Sequence, residues 1–236
     1  MRLPRKMLAV LLVSGMATGC KIDDLVAPCC AQGPGALVVV NGFGAPVDLL
    51  VDGQVYASAI AAGTLVYPAL APGVAHTVGV RVPGTITTST VSLAAAAGNA
   101  APAAVAALRL GGGALSAQSL TDTNALVPAG ATKLRVLHLA ALAGEVQVWR
   151  TQPDFMTPIR WAFPFTYNSA NVYLQSTVGT WDVRIWTDTS TYPPGNATPW
   201  GALTLDQVQV TLTSGGKGTV AIVDKAGGGV RLVRLE

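Results

Sequence analysis

Gly179-Thr-Trp-Asp-Val-Arg-Ile-Trp186 alternates with a period of two. Successive side chains of an extended strand point to opposite faces, so Trp181, Val183 and Ile185 fall on one side and Asp182, Arg184 and Trp186 on the other. The first side suits a core, and the stretch reads as a strand of a layered β structure. The same pattern fills the chain from Ala36 onward. Short apolar or alternating runs lie at 37–40, 47–51, 65–70, 77–82, 86–93, 103–108 and 115–120. Others follow at 134–139, 146–150, 159–163, 171–174, 181–186, 207–212, 220–223 and 230–233, with Gly, Pro, Asn and Asp between them. No stretch carries a convincing helical period. The Ala-rich run 94–107 is ambiguous, since Ala is the best helix former, but Gly98, Asn99 and Pro102 interrupt it. Asp52-Gly53 predicts a tight hairpin turn.

The two halves are related. Tyr67 and Gly73 stand six residues apart, and Tyr173 and Gly179 repeat that spacing 106 positions later. Gly111-Gly112-Gly113 precedes a final strand in the first half, as Gly227-Gly228-Gly229 does in the second. Val47-Asp-Leu-Leu-Val51 matches Val146-Gln-Val-Trp149 in position. Such repetition predicts an all-β chain of two tandem immunoglobulin-like antiparallel β-sandwich domains, at 36–122 and 133–236. Residues 123–132, with Pro128 and Gly130, read as the linker.

A family resemblance rests on four segments. Leu134-Arg-Val-Leu-His-Leu-Ala140, Val146-Gln-Val-Trp149, the Tyr173 to Gly179 spacing and Gly179-Thr-Trp-Asp-Val-Arg-Ile185 together resemble the bacterial envelope family called domain of unknown function 4397. Its members open repeats with an R-V-x-H-A-S-P-like stretch, continue with V-D-V-Y-V-D-G and later carry G-T-Y-x-V-x-V. The first half keeps Val47-Asp-Leu-Leu-Val-Asp-Gly53 but has Val38-Val-Val-Asn-Gly42 in place of the histidine stretch. The second keeps His138 and has Ala141-Leu142 where Ser-Pro would stand. The resemblance implies immunoglobulin-like repeats on exported, often lipid-anchored proteins. It implies no known activity.

The N-terminus reads as an export signal. Arg2, Arg5 and Lys6 precede an apolar run over 7–13, too short to span a bilayer core of about 30 Å, and Ala17-Thr18-Gly19 supplies small residues before Cys20. Residues 1–19 are expected to be cleaved. Ala17-Thr-Gly-Cys20 resembles the lipobox of bacterial lipoproteins, whose cysteine takes a diacylglycerol thioether and becomes the acylated N-terminus. Ala17 replaces the usual Leu and also suits ordinary signal peptidase, so the alternative is a secreted or periplasmic protein with unmodified Cys20. In enterobacteria an Asp after the cysteine retains lipoproteins in the inner membrane; Lys21 points to the outer membrane. Residues 20–35 read as a tether. Its Cys29 and Cys30 are adjacent, with Cα atoms about 3.8 Å apart against 4.4–6.8 Å in ordinary disulfides. They stand as an oxidised pair, an intermolecular link or a redox or metal pair.

Charge and reactive residues narrow the function classes. The chain has fifteen basic and twelve acidic residues, and removing 1–19 takes away three basic ones, leaving twelve of each. A neutral remainder gives no support to nucleic-acid binding. The two histidines, His76 and His138, lie in or beside strands, and His138 alternates with Val136 and Ala140, the pattern of a buried structural imidazole. Asp48, Asp52, Asp122, Asp206 and Asp224 fall at turns and strand ends, where carboxylates accept backbone N–H groups. The Gly triplets lack the lysine and helix of a phosphate loop. These residues predict no enzyme, no cofactor and no metal; a hydrolase would need His138, a carboxylate and a nucleophile to converge.

Aromatic residues set the second half apart. It holds all five tryptophans, Trp149, Trp161, Trp181, Trp186 and Trp200. Trp181 is expected in the core and Trp186 outside beside Arg184. Trp186, Arg184, Trp149, Trp161 and Trp200, near Arg150 and Arg160, form the candidate binding surface for a glycan or an envelope protein. The competing reading has these rings covering the long segments 151–169 and 187–202. The chain is thus expected to be a lipid-anchored envelope protein with a non-catalytic binding or structural role, touching the membrane through its lipid. The alternatives are a carbohydrate-binding module and an uncharacterised hydrolase.

Overall fold

Asp52 and Gly53 both take positive φ, 50° and 78°, the left-handed pair that a two-residue type I′ hairpin turn requires. The hairpin they close belongs to a computed structural model that describes residues 37–71, 73–94, 103–109, 113–120, 127–153, 159–168, 174–186 and 205–235. Cys20, Cys29, Cys30 and Trp200 lie outside the described residues, as do the signal and tether expected at 1–35. The described residues form strands and no helix.

The first eight strands are β1 (Leu37–Gly42), β2 (Val47–Val51), β3 (Gln54–Ile60), β4 (Leu65–Val66), β5 (His76–Arg81), β6 (Thr88–Leu93), β7 (Ala103–Arg109) and β8 (Leu115–Ser119). Then follow β9 (Ala131–His138), β10 (Val146–Thr151), β11 (Ile159–Phe165), β12 (Leu174–Thr177), β13 (Gly179–Trp186), β14 (Asp206–Leu212), β15 (Lys217–Asp224) and β16 (Val230–Arg234). Sheets β4-β1-β7-β8 and β3-β2-β5-β6 make the first sandwich, and β12-β9-β15-β16 and β11-β10-β13-β14 the second. Adding eight to every label of the first order yields the second, so the topology is duplicated strand for strand.

Neither sandwich is wholly antiparallel. β1 runs parallel to β7 over six pairs, from Leu37 opposite Ala103 to Gly42 opposite Leu108. β9 runs parallel to β15 over six more, from Lys133 opposite Lys217 to His138 opposite Ile222. Parallel neighbours need a long crossover, which the intervening strands supply in each repeat.

Several elements depart from the sequence expectation: β4 takes up only two residues of the run 65–70, and β9 starts at Ala131, inside the linker expected at 123–132. β3 has no counterpart among the expected strands, because Gln54-Val-Tyr-Ala-Ser-Ala-Ile60 is an edge strand exposed along most of its length and lacks an apolar period. Ala59 at φ 51° and two register shifts against β2 mark a bulge there. β12 begins at Leu174, where the strand expected at 171–174 ends. The described end of the ambiguous Ala-rich run, from Ala103 onward, is a strand, β7. Its alanines are explained by burial on both faces: Val105 and Ala107 enter the core of the first sandwich, while Ala106 and Leu108 enter another.

That other core joins the repeats. Val38 and Val40 of β1, with Ala106 and Leu108, meet Leu137, Leu139, Ala221, Val223, Val233 and Leu235 of the second sandwich. Alternation explains how one strand serves two cores, since Leu37 and Val39 point into the first sandwich and Val38 and Val40 away from it. The sheets containing the parallel pairs therefore pack face to face, and the described chain has three apolar layers instead of two cores on a string. Glycine permits the approach. A Cβ at Gly42 would lie 2.7 Å from the Leu139 carbonyl oxygen, and one at Gly63 would lie 2.5 Å from that of Asp224.

Candidate functional site in the second sandwich

Alternation along β13 places side chains as expected, but the outward face is covered. Trp181, Val183 and Ile185 join the second core, whereas Trp186 is 0% exposed, Arg184 3% and, across on β10, Trp149 1%. This corrects the reading of Trp186, Arg184 and Trp149 as a binding surface: solvent does not reach them. The two indoles lie against each other, ring centres 5.1 Å apart and tilted by 32°. Rings of that size reward burial by removing large apolar areas from water. The Trp149 indole is satisfied inside the layer, its Nε1 donating to Gln147 Oε1 at 3.2 Å.

Arg184 anchors this layer. Its Nη2 donates to Asp182 Oδ2 at 2.6 Å, its Nε to Thr151 Oγ1 at 3.2 Å and its Nη1 to Gln207 Oε1. Gln209 Nε2 donates to the other Asp182 oxygen at 3.3 Å. A buried ion pair adds little over an apolar replacement, but losing one partner strands the other charge. Asp182→Ala is therefore expected to destabilise the chain by about 3 kcal/mol in urea denaturation, and Asp182→Ala with Arg184→Met to recover part of that loss.

Trp161 belongs to a different cluster. Half-buried, it packs on the inward side of β11 against the second core, with Arg150 between it and Trp181. Arg150 Cζ lies 4.0 Å from the Trp181 ring centre and 4.9 Å from that of Trp161. The candidate residues thus divide between two faces of one sheet, and Trp200 lies outside the described residues. Sequence reasoning missed this clamp because Arg150 sits at an inward position of β10, where alternation alone predicts an aliphatic side chain.

The carboxylates do accept backbone N–H groups, but over long spans. Asp48 takes Ala59 N at 2.9 Å, Asp52 takes Thr77 N at 2.8 Å, Asp206 takes Leu232 N at 2.6 Å and Asp224 takes Leu142 N at 3.2 Å. Asp122 lies outside the described residues. Asp224 and its surroundings tie the shared core at its margin, where Arg231 Nη2 donates to the Gly63 carbonyl and Arg109 N donates to Tyr167 Oη at 2.7 Å. Burial pushes the Asp224 carboxyl above the usual range despite the N–H groups of Leu142 and Ala141.

The two histidines occupy opposite environments. His138 is fully buried beside Phe165 and Tyr167, its Nε2 donating to Gly144 O at 3.1 Å and its Nδ1 without a partner. Burial lowers its pKa. His76 sets Nδ1 2.7 Å from Asp52 Oδ2 and Nε2 3.1 Å from Ala71 O, two acceptors that an imidazolium satisfies together. The Asp52 bond raises its pKa, and the Thr77 amide followed by His76 lowers that of Asp52. Imidazole NMR titration is expected to place His76 above, and His138 below, the ordinary value of about 6.5. The His76 contribution to stability is complete below the unfolded value and is lost as pH rises through the raised one. That of Asp52 is lost as pH falls through its lowered value. His138 acts with the opposite sign to His76, since below about pH 6.5 the unfolded chain takes up a proton that the buried ring refuses.

Two sandwiches of identical strand order sharing a third core define a tandem β-sandwich protein. No group of three or more side chains able to hold a metal occurs among the described residues. The family model described as Domain of unknown function (DUF4397) matches residues 36–149, and it is the family that the motifs of the sequence resemble. The match takes in the whole first sandwich and continues through β9 and most of β10. No curated protein matches the chain.

Proposed function

We propose that this is a lipid-anchored cell-envelope protein with a non-catalytic binding or structural role, held at the outer membrane through Cys20 and extended from it by residues 20–35. The observation that carries the reading is the shared core between the sandwiches. A buried apolar layer across repeats makes one stiff body out of two small domains, which suits a spacer or platform more than a pair of mobile modules. Two or three acyl chains on Cys20 would hold such a body stably, at about 0.8 kcal/mol per buried methylene.

Fractionation of cells expressing the wild-type chain and Cys20→Ser tests the anchor. The wild type is expected to sediment with membranes until detergent is added, and the variant to appear in the soluble fraction. Sedimentation of both forms alike would overturn the anchor. Affinity capture from the native envelope tests the rest: envelope proteins retained by both forms support a binding role of the sandwiches themselves.

A further inference from the structure

Arg150 carries a buried positive charge that is in ion-pair contact with no carboxylate among the described residues. It is 5% exposed, yet the ion pairs among the described residues lie elsewhere, at His76–Asp52, Arg81–Asp48 and Arg184–Asp182. The contrast with Arg184 is direct, since both arginines sit on the same sheet and, among the described residues, only Arg184 pairs with an acid. Trp181 and Trp161 offer their faces to the guanidinium. Such contacts favour the cation, but ring faces leave in-plane N–H donors unmet. One donor is satisfied: Nη1 donates to Ser176 Oγ, whose own proton goes to Thr177 O at 3.3 Å. Arg150 Nε has no acceptor, and neither has Trp161 Nε1, although both atoms are buried.

We propose that Arg150, Trp161 and Ser176 form a binding site for a carboxylate at the end of the second sandwich. One unpaired cation calls for one negative charge. Two donors without acceptors call for two oxygens, and a planar group suits a guanidinium held between indoles. A phosphate dianion would bring a second charge and further acceptors that these residues do not match. Ser176 cannot donate to the anion, because its proton is committed to Thr177, and so it orients the guanidinium. Half-buried Trp161 is the wall through which the site reaches solvent. The site goes beyond the role proposed above and is independent of the anchor, so its failure would leave the Cys20→Ser result standing.

The test uses the full chain at constant ionic strength, titrated with sodium acetate, galacturonate and N-acetylaspartate α-methylamide, each a monoanion, with sodium chloride as reference. The readouts are tryptophan fluorescence and the NMR resonances of arginine Nε–H and indole Nε1–H groups. Expected is a saturable carboxylate response that moves one arginine Nε–H and the indole N–H removed by Trp161→Phe. Arg150→Lys keeps the charge without the fork and should weaken the response at least roughly tenfold. Tightest binding of galacturonate supports a sugar acid as the natural source, and tightest binding of N-acetylaspartate α-methylamide supports an acidic side chain. Wild-type resonances that stay in place, a response no larger than that to chloride, or an unchanged response in a folded Arg150→Lys chain would overturn the site.

Discussion

Trp186→Ala is expected to destabilise the chain by about 3–5 kcal/mol, the usual loss on emptying a fully buried tryptophan site. In a folded body of about two hundred residues, that lowers the melting midpoint by on the order of 10 °C. The loss has two parts. The indole itself is 0% exposed, and its removal also takes the neighbouring ring from Trp149, which lies 5.1 Å away. Trp161→Ala makes the comparison, since Trp161 is only half-buried and its removal should cost less. Calorimetry of the three chains measures both effects. A Trp186→Ala chain that melts with the wild type would mean that the outer face of β13 opens to solvent, and would restore that face as a recognition surface.

Gly63→Val is expected to separate the repeats. Gly63 has φ 70°, and a Cβ there would meet Asp224 O at 2.5 Å, Arg231 Nε at 2.9 Å and Val223 Cγ2 at 2.9 Å. The first of these is backbone and cannot swing aside. The left-handed backbone adds roughly 1–2 kcal/mol for any side chain. Gly53→Val isolates that second cost, because Gly53 has φ 78° and nothing within 4 Å of its would-be Cβ. The wild type should melt in one transition, Gly53→Val in one at slightly lower temperature, and Gly63→Val in two, one for each sandwich. A single transition for Gly63→Val, no lower than that of Gly53→Val, would show that the shared core tolerates displacement of the 61–64 turn.

The local structure of this chain is written in its alternation, and what lies beyond alternation is not. Trp181 and Val183 announce a core face without any knowledge of the partner sheet, and Asp52-Gly53 announces its turn. β3 escapes because an edge strand need not bury a face. The shared core escapes for the opposite reason. Val38 and Val40 continue an apolar run through Leu37 and Val39, and such a run shows that both faces are buried without showing against what. The candidate surface failed at the same step, since a period of two assigns Trp186 to the outward face of its sheet but cannot report whether that face is wet. Arg150 is the harder case. A charged residue at an inward position contradicts the pattern locally, and only the indoles on either side of it make the position intelligible.

The parallel pairing of β1 and β7 has a mechanical side. β1 is the first strand of the described chain, hydrogen-bonded to β4 on one edge and, in register over six pairs, to β7 on the other. Tension applied ahead of Leu37 and directed along the strand would load those ladder bonds together, in shear, where a hairpin pulled open at its end yields one bond at a time. β1 is also wedged between two apolar layers, so sliding it would drag Val38 and Val40 out of one and Leu37 and Val39 out of the other. A load along β1 would thus meet its whole ladder and both of its apolar faces at once, as a stressed fastening does.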